Sequence, residues 1–240
     1  LCYANGRGVP EDFAEALRWY QKAAGKGYPS AQYNLARMHH FGRGMPKDAQ
    51  EAFRLYRKAA DQGNAAAQNA LGTLCDNGEG TTQNFAEALR WYRLAADQGN
   101  DNAMRNLGVM YAQGHGVAKD EKEAIRLYKL AASAGDAMAQ DYLGRRHESG
   151  DGVPQDLKAS ARLYQRAAEQ GLDEAQLHLG ALYADGRGMP RDLVQAHLWF
   201  NLAAVQGNTD AAKRRNQVAA QMSPAQIAEA QRLAAEWKAR

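Results

Sequence analysis

The sequence predicts an all-α solenoid built from 36-residue helix pairs, and three observations carry that prediction. The first is a strict period. Every glycine except Gly25 falls on one register: Gly6, Gly42, Gly78, Gly114, Gly150 and Gly186, their partners two residues on (Gly8 through Gly188), the column from Gly27 to Gly207, and the column from Gly72 to Gly180 that Ala36 heads. A fixed repeat of about 20 to 50 residues marks units that bury their apolar faces only by stacking on one another. The second observation is apolar spacing at helical intervals in both halves of each unit. The third is capping chemistry at the boundary between the halves.

Residues 28–63 show one unit in full. In its first half Ala31 and Leu35 recur as Ala67/Leu71, Ala103/Leu107, Ala139/Leu143 and Ala175/Leu179, with Tyr or His four residues after most of the leucines and Cys75 as the exception. That i, i+4, i+8 spacing is one stripe of a helix. The second half repeats Ala52, Leu55, Tyr56, Ala59 and Ala60 as Ala88, Trp91, Tyr92, Ala95 and Ala96, again at helical spacing. Between them Asp12, Asp48, Asn84, Asp120, Asp156 and Asp192 stand where the second helix starts, placed to accept from its first free N–H groups. Glu15, Glu51, Glu87 and Glu123 follow three residues later, which predicts reciprocal capping boxes; Gln195 can preserve the box and Ala159 breaks it. The GxG pair before each cap supplies the turn, and the glycine after each AAxxG ends the second helix.

Both ends depart from the frame. Leu1, Cys2 and Tyr3 align with Arg37, Met38 and His39 near the end of a first helix, so the sequence opens within a unit and reads as a fragment. Residues 208–221 begin as another first helix, but Arg215 and Asn216 replace the Leu-Gly pair and no GxG follows. Ser223 then reads as an N-cap with Pro224 in the first helical position, and Ile227, Ala230, Leu233, Ala234 and Trp237 share one face of a capping helix. The expected organisation is a single array over 1–240: a partial unit at 1–27, full units at 28–63, 64–99, 100–135, 136–171 and 172–207, and a terminal half unit with its capping helix at 208–240.

The motif AxxxLGxxYxxGxGVxxDxxxAxxWYxxAAxxG, fullest in residues 100–135 and 172–207, resembles the Sel1-like repeat family, a branch of the tetratricopeptide superfamily. The resemblance covers essentially the whole chain. It implies a right-handed superhelix of antiparallel helix pairs whose first helices line a concave surface. It also implies an adaptor that holds other proteins or peptides, in a family with many members at the bacterial cell envelope. The periplasm or envelope is favoured by that resemblance alone.

Composition narrows the function classes. Thirty basic against 27 acidic residues leave a formal net charge of +3, too balanced for a strong electrostatic case for nucleic acid. Lys213, Arg214 and Arg215 form the only dense basic run. No run reaches the length of a membrane helix, so no membrane insertion is expected. Cys2 and Cys75 lie two stacking units apart and are expected as free thiols.

Chemistry-bearing patterns are sparse. The GxG loops lack a following GK[ST] and a preceding strand, and an acid or amide stands where a phosphate would sit, so they read as turns. His39 and His147 replace the periodic tyrosine, His115 is in a loop, and His178 and His197 lie on separate helices; no metal or cofactor is expected. The ladder Tyr20, Tyr56, Tyr92, Tyr128, Tyr164 and Phe200, with Trp19, Trp91 and Trp199, has core spacing.

What remains is variation within a constant frame. Three first-helix columns at i, i+4, i+7 hold no single residue type: Tyr33/Arg37/His40, Asn69/Thr73/Asp76, Arg105/Val109/Ala112, Asp141/Arg145/Glu148 and Leu177/Ala181/Ala184. Positions freed from packing carry recognition in repeat arrays. The expected binding face therefore comprises Tyr33, Arg37, His40, Asn69, Thr73, Arg105, Asp141, Arg145, Glu148 and Leu177. The expected function is a non-enzymatic, monomeric scaffold that grips a protein or peptide; the alternative is an enzyme or enzyme-associated factor acting on cell-wall or β-lactam substrates.

Overall fold

In the computed structural model, which describes residues 12–238, thirteen helices follow one another and no strand occurs among the described residues. The first helices of the pairs are α2 (Pro29–Phe41), α4 (Ala65–Asn77), α6 (Asp101–Gln113), α8 (Ala137–Ser149), α10 (Asp173–Asp185) and α12 (Thr209–Ala219). The second helices are α1 (Phe13–Gly25), α3 (Ala49–Asp61), α5 (Phe85–Asp97), α7 (Glu121–Ala134), α9 (Leu157–Glu169) and α11 (Leu193–Val205), and α13 (Pro224–Lys238) follows them. The chain divides into two compact units between Ala124 and Ile125, inside α7. Leu1, Cys2, Tyr3, Gly6 and Gly8 lie outside the described residues.

Local chemistry sets each boundary. The Asp48 carboxylate accepts from the Glu51 N–H at 2.9 Å, and Asp12, Asn84, Asp120 and Asp156 do the same three residues on. The predicted reciprocal boxes do not close, however. The N–H of Asp48 already donates to the His39 carbonyl at 2.9 Å, that of Asn84 to Cys75 at 2.8 Å and that of Asp120 to Tyr111 at 2.9 Å. With that donor taken, Glu51 turns to Arg54 and Glu87 accepts instead from the indole of Trp91; Glu15 likewise accepts from the indole of Trp19. A closed box does form at Ser223, whose N–H donates to Gln226 Oε1 at 2.9 Å while the Gln226 N–H donates back to its hydroxyl at 3.3 Å.

Stacking explains the glycines. Gly80 has φ +70°, and a Cβ there would lie 2.1 Å from the carbonyl oxygen of Ala49, so its loop rests directly on the N-terminus of the preceding second helix. The first-helix column has a different cause. A Cβ on Gly72 would lie 2.7 Å from the Tyr92 ring, on Gly144 2.6 Å from Tyr164 and on Gly180 2.7 Å from Phe200. A ring on the pair's own second helix, rather than another backbone, fills the space a side chain would need. Tyr56, Tyr92, Tyr164 and Phe200 are accordingly buried, among the alanines that let the paired helices close on them.

In the unit from Ile125 onward, α13 lies on α11 with Ala230 and Ala234 buried and Trp237 edge-on to Trp199 at 5.0 Å. The face predicted for the capping helix is the face it buries.

Candidate functional site

The variable first-helix columns lie beside the buried tyrosines, and their side chains meet neighbours in preference to water. In the unit up to Ala124, the Arg37 guanidinium sits 5.9 Å over the Tyr33 ring, which is itself 5.7 Å from Tyr56. His40 Nε2 lies 3.1 Å from Glu79 of the next pair, and Lys47 forms an ion pair with the same carboxylate at 2.7 Å. Lys47 first, then His40, holds the Glu79 carboxyl below the usual glutamate range. Asn106 donates to Asn69 Oδ1 at 3.0 Å, and Thr73 Oγ1 accepts from Tyr92 at 3.3 Å. Burial raises the Asp76 carboxyl, against the charge of His115 on the following loop. Arg105 donates to Asn102 and Asn106, both at 3.0 Å.

The unit from Ile125 onward repeats the scheme with different groups. Asp141 is only 5% exposed; its Oδ1 lies 2.8 Å from His178 Nδ1 and its Oδ2 forms an ion pair with Arg145 Nε at 3.2 Å. The His178 ring stacks on Tyr164 at 4.9 Å. Tyr164 donates to Glu148 at 2.8 Å, and Arg187 meets the same carboxylate at 2.7 Å. Burial, and then Glu148, pushes the Tyr164 hydroxyl far above its ordinary value. Leu177 packs on the apolar cluster around Phe200.

These contacts correct the expectation that the columns are freed from packing. Of the ten residues named from sequence, only Arg145 is exposed and Asp141 is buried; Tyr33, Arg37, His40, Asn69, Thr73, Arg105, Glu148 and Leu177 are half-buried. The physical reason is their position over the tyrosine ring and against the next first helix. Much of their variation is paired variation. His40 with Glu79, Asp76 with His115 and Glu148 with Arg187 occupy one slot, 39 residues apart, and in these three of its five copies an acid stands opposite a base.

Sequence reasoning missed a second set of paired residues. Gln32, Gln68, Gln140 and Gln176 are buried, and their side-chain carbonyls accept from Gln62, Gln98, Gln170 and Gln206, each thirty residues on, at 2.7–3.0 Å. The signal was legible as a polar residue inside a helical apolar stripe with a glutamine at a fixed offset. Where the first partner becomes Met104, the second becomes Ala134.

The arrangement has limited chemical reach. Asp141 fixes the orientation of His178 as a general-base pair requires, but the groups meeting the pair, Arg145 and the Tyr164 ring, supply no nucleophile. Among the described residues no cluster of three or more His, Cys, Asp or Glu could hold a metal ion. Cys75 is a free thiol, buried, and burial pushes it up to about 11, away from reactivity. No helix of the described residues is long and apolar enough to cross a membrane.

The model of the Sel1 repeat matches six times in succession, over residues 1–28, 29–64, 65–100, 101–136, 137–172 and 173–208. The chain belongs to the Sel1 repeat family. Proteins of this family generally act as non-catalytic protein-interaction scaffolds. Among solved structures the Sel1 array is similar to a Sel1 repeat protein of Oxalobacter formigenes, at 37% identity and TM-score 0.83 over 90% of this chain and 63% of that one. It is also similar to c5321, a protective antigen of uropathogenic Escherichia coli with an SLR fold, at 31% identity and TM-score 0.59 over 98% of this chain and 58% of that one. The array thus spans less than two thirds of either relative. An immunity protein of Pseudomonas aeruginosa, Pa5087, shares the fold at 24% identity and TM-score 0.58, covering 78% of this chain and 72% of its own. No curated protein matches the sequence.

Proposed function

We propose that this Sel1 array is a monomeric, non-enzymatic scaffold that holds protein or peptide segments on the first-helix columns within each of its units. The observation that carries this reading is preorganisation: Tyr33, Arg37 and His40 on α2, and Arg145 with Asp141 on α8, are held in fixed orientations by neighbours while part of each accessible side chain still faces outward. Fixed side chains lose little freedom when they bind, and Tyr and Arg are the residues that most often anchor interfaces. Family membership supports the same class of activity.

The test begins with affinity capture and mass spectrometry, followed by calorimetric titration of the captured partner. Arg37→Ala and Arg145→Ala are the informative variants, because neither closes a buried network alone. Each is expected to weaken binding by about 1–2 kcal/mol with melting temperature nearly unchanged. Unchanged affinity in both would remove the first-helix columns from the binding surface. Asp141→Ala is unsuitable, since it strips a partner from His178 inside the fold.

A further inference from the structure

The Trp91 column reads Trp19, Leu55, Trp91, Leu127, Leu163 and Trp199, and beside Leu55 a groove lies open at the place that Trp91 fills in the next pair. In α5, Trp91 is 2% exposed, its indole N–H donates to Glu87 at 3.3 Å, and the guanidiniums of Arg57 and Arg90 lie over its ring at 5.2 and 5.1 Å. Thirty-six residues earlier the equivalents of those groups are Leu55, Glu51, Gln21 and Arg54. The acceptor and one guanidinium are kept, but the indole between them is missing. A cavity of about 290 Å³ occupies that place between α1, α2 and α3, lined by Gln21, Glu51, Arg54 and Leu55 together with His39.

We infer that this groove is a binding site for a tryptophan side chain presented by a peptide segment of a partner. It goes beyond the first-helix reading above, because the second helices α1 and α3 form its walls. The chemistry is complementary at each contact. Glu51 accepts from Arg54 on both oxygens, at 2.7 and 2.5 Å, and each oxygen retains a second lone pair for an indole N–H, as Glu87 Oε1 accepts from Arg57 and Trp91 together. The Arg54 guanidinium matches the negative face of the ring, and Leu55 offers an apolar floor. Glu15 and Trp19 on α1 repeat the acid–indole hydrogen bond at 2.8 Å, there with the indole 54% exposed. His39 is bulkier than Cys75 at the matching position, yet the cavity persists beside it. His39 also leaves a buried Nδ1 without a hydrogen-bond partner among the described residues.

The probe is N-acetyl-tryptophanamide, followed by amide shifts of the isotope-labelled full chain. Saturable, millimolar binding is expected, with shifts confined to α1, α2 and α3 around Leu55 and none from N-acetyl-leucinamide. Leu55→Trp places the missing indole in cis, as at Trp91 and Trp199, and is expected to remain folded and weaken the probe at least ~10-fold. Should that variant fold poorly, Glu51→Gln replaces the charged acceptor and is expected to weaken the probe several-fold. Shifts that map elsewhere, equal binding by leucinamide, or full affinity in Glu51→Gln and in a folded Leu55→Trp would each overturn the assignment. Tighter binding of free indole than of the blocked amide would overturn the peptide-borne occupant. None of these readouts involves Arg37 or Arg145, so failure here leaves the scaffold reading to its own test.

Discussion

His40 meets Glu79 at 3.1 Å across two successive pairs, and three units further along the sequence the same slot holds Glu148 and Arg187 at 2.7 Å with acid and base exchanged. Each first member also lies within reach of a buried tyrosine hydroxyl, Tyr56 at 3.5 Å or Tyr164 at 2.8 Å. In these two pairs the slot sets an acid against a base beside a tyrosine hydroxyl, and either side can carry the acid, whereas the same register sets Ala112 with Asp151 and Ala184 with Ser223, without such a pair.

That indifference is testable by swapping. Arg187→Glu sets two carboxylates face to face and is expected to cost about 1 kcal/mol, a modest figure because Arg187 is 44% exposed. Adding Glu148→Lys should recover about half of the loss. Denaturant melts of the four-member cycle measure the coupling, and strict additivity would show that the two side chains do not interact.

The ring over Gly144 predicts a graded cost. Gly144→Ala is expected to be mild, since Ala36 occupies the matching position above Tyr56; Gly144→Val should cost about 1–3 kcal/mol by displacing Tyr164. Thermal melts with near-ultraviolet circular dichroism read both the loss and the ring movement. A valine variant that melts with the parent would contradict the close approach.

The glutamine pairs predict coupling of a different kind. Gln68→Met alone should cost about 1 kcal/mol, because it leaves the Gln98 amide only its longer bond to the Leu94 carbonyl and takes the donor from the Ala60 carbonyl. Joined to Gln98→Ala, which reproduces the Met104 and Ala134 combination, the pair should cost less than the sum of the single changes. Chemical denaturation of the cycle decides it.

His197 predicts a pH dependence with a definite sign. It is 4% exposed on α11, its Nδ1 has no partner among the described residues, and burial first, then the charge of Arg215, lowers its pKa below 6.5. Below 6.5 the unfolded chain takes up a proton that the folded chain resists, so stability falls as pH drops through that window. His197→Leu, the residue type at Leu17 and Leu89 in the same column, should remove this part of the slope. Melting curves between pH 7 and pH 5 compare the two proteins, and parallel slopes would refute the assignment.

Much of the architecture was legible because helix pairs are local objects. The period, the caps at Asp48 and its equivalents, the turn glycines and the capping face of Ala230, Ala234 and Trp237 all follow from spacing along the chain. Glu51 shows the limit: its spacing from Asp48 satisfied the capping-box rule, but a carbonyl from the preceding helix had already claimed the donor.

The binding columns were harder to read, because sequence variation alone does not distinguish a free surface from a compensated contact. Sequence determined that these residues share a helix stripe and that a small residue must stand at Gly72, Gly144 and Gly180. Only the tertiary structure decided what lies opposite: a tyrosine ring over the glycine, a loop base facing the helix acid, and an open groove where Leu55 replaces an indole. The physical reason is range. Helix spacing and caps are set by bonds within a few residues, whereas burial, ion pairing and cavity filling depend on groups that stacking alone brings together.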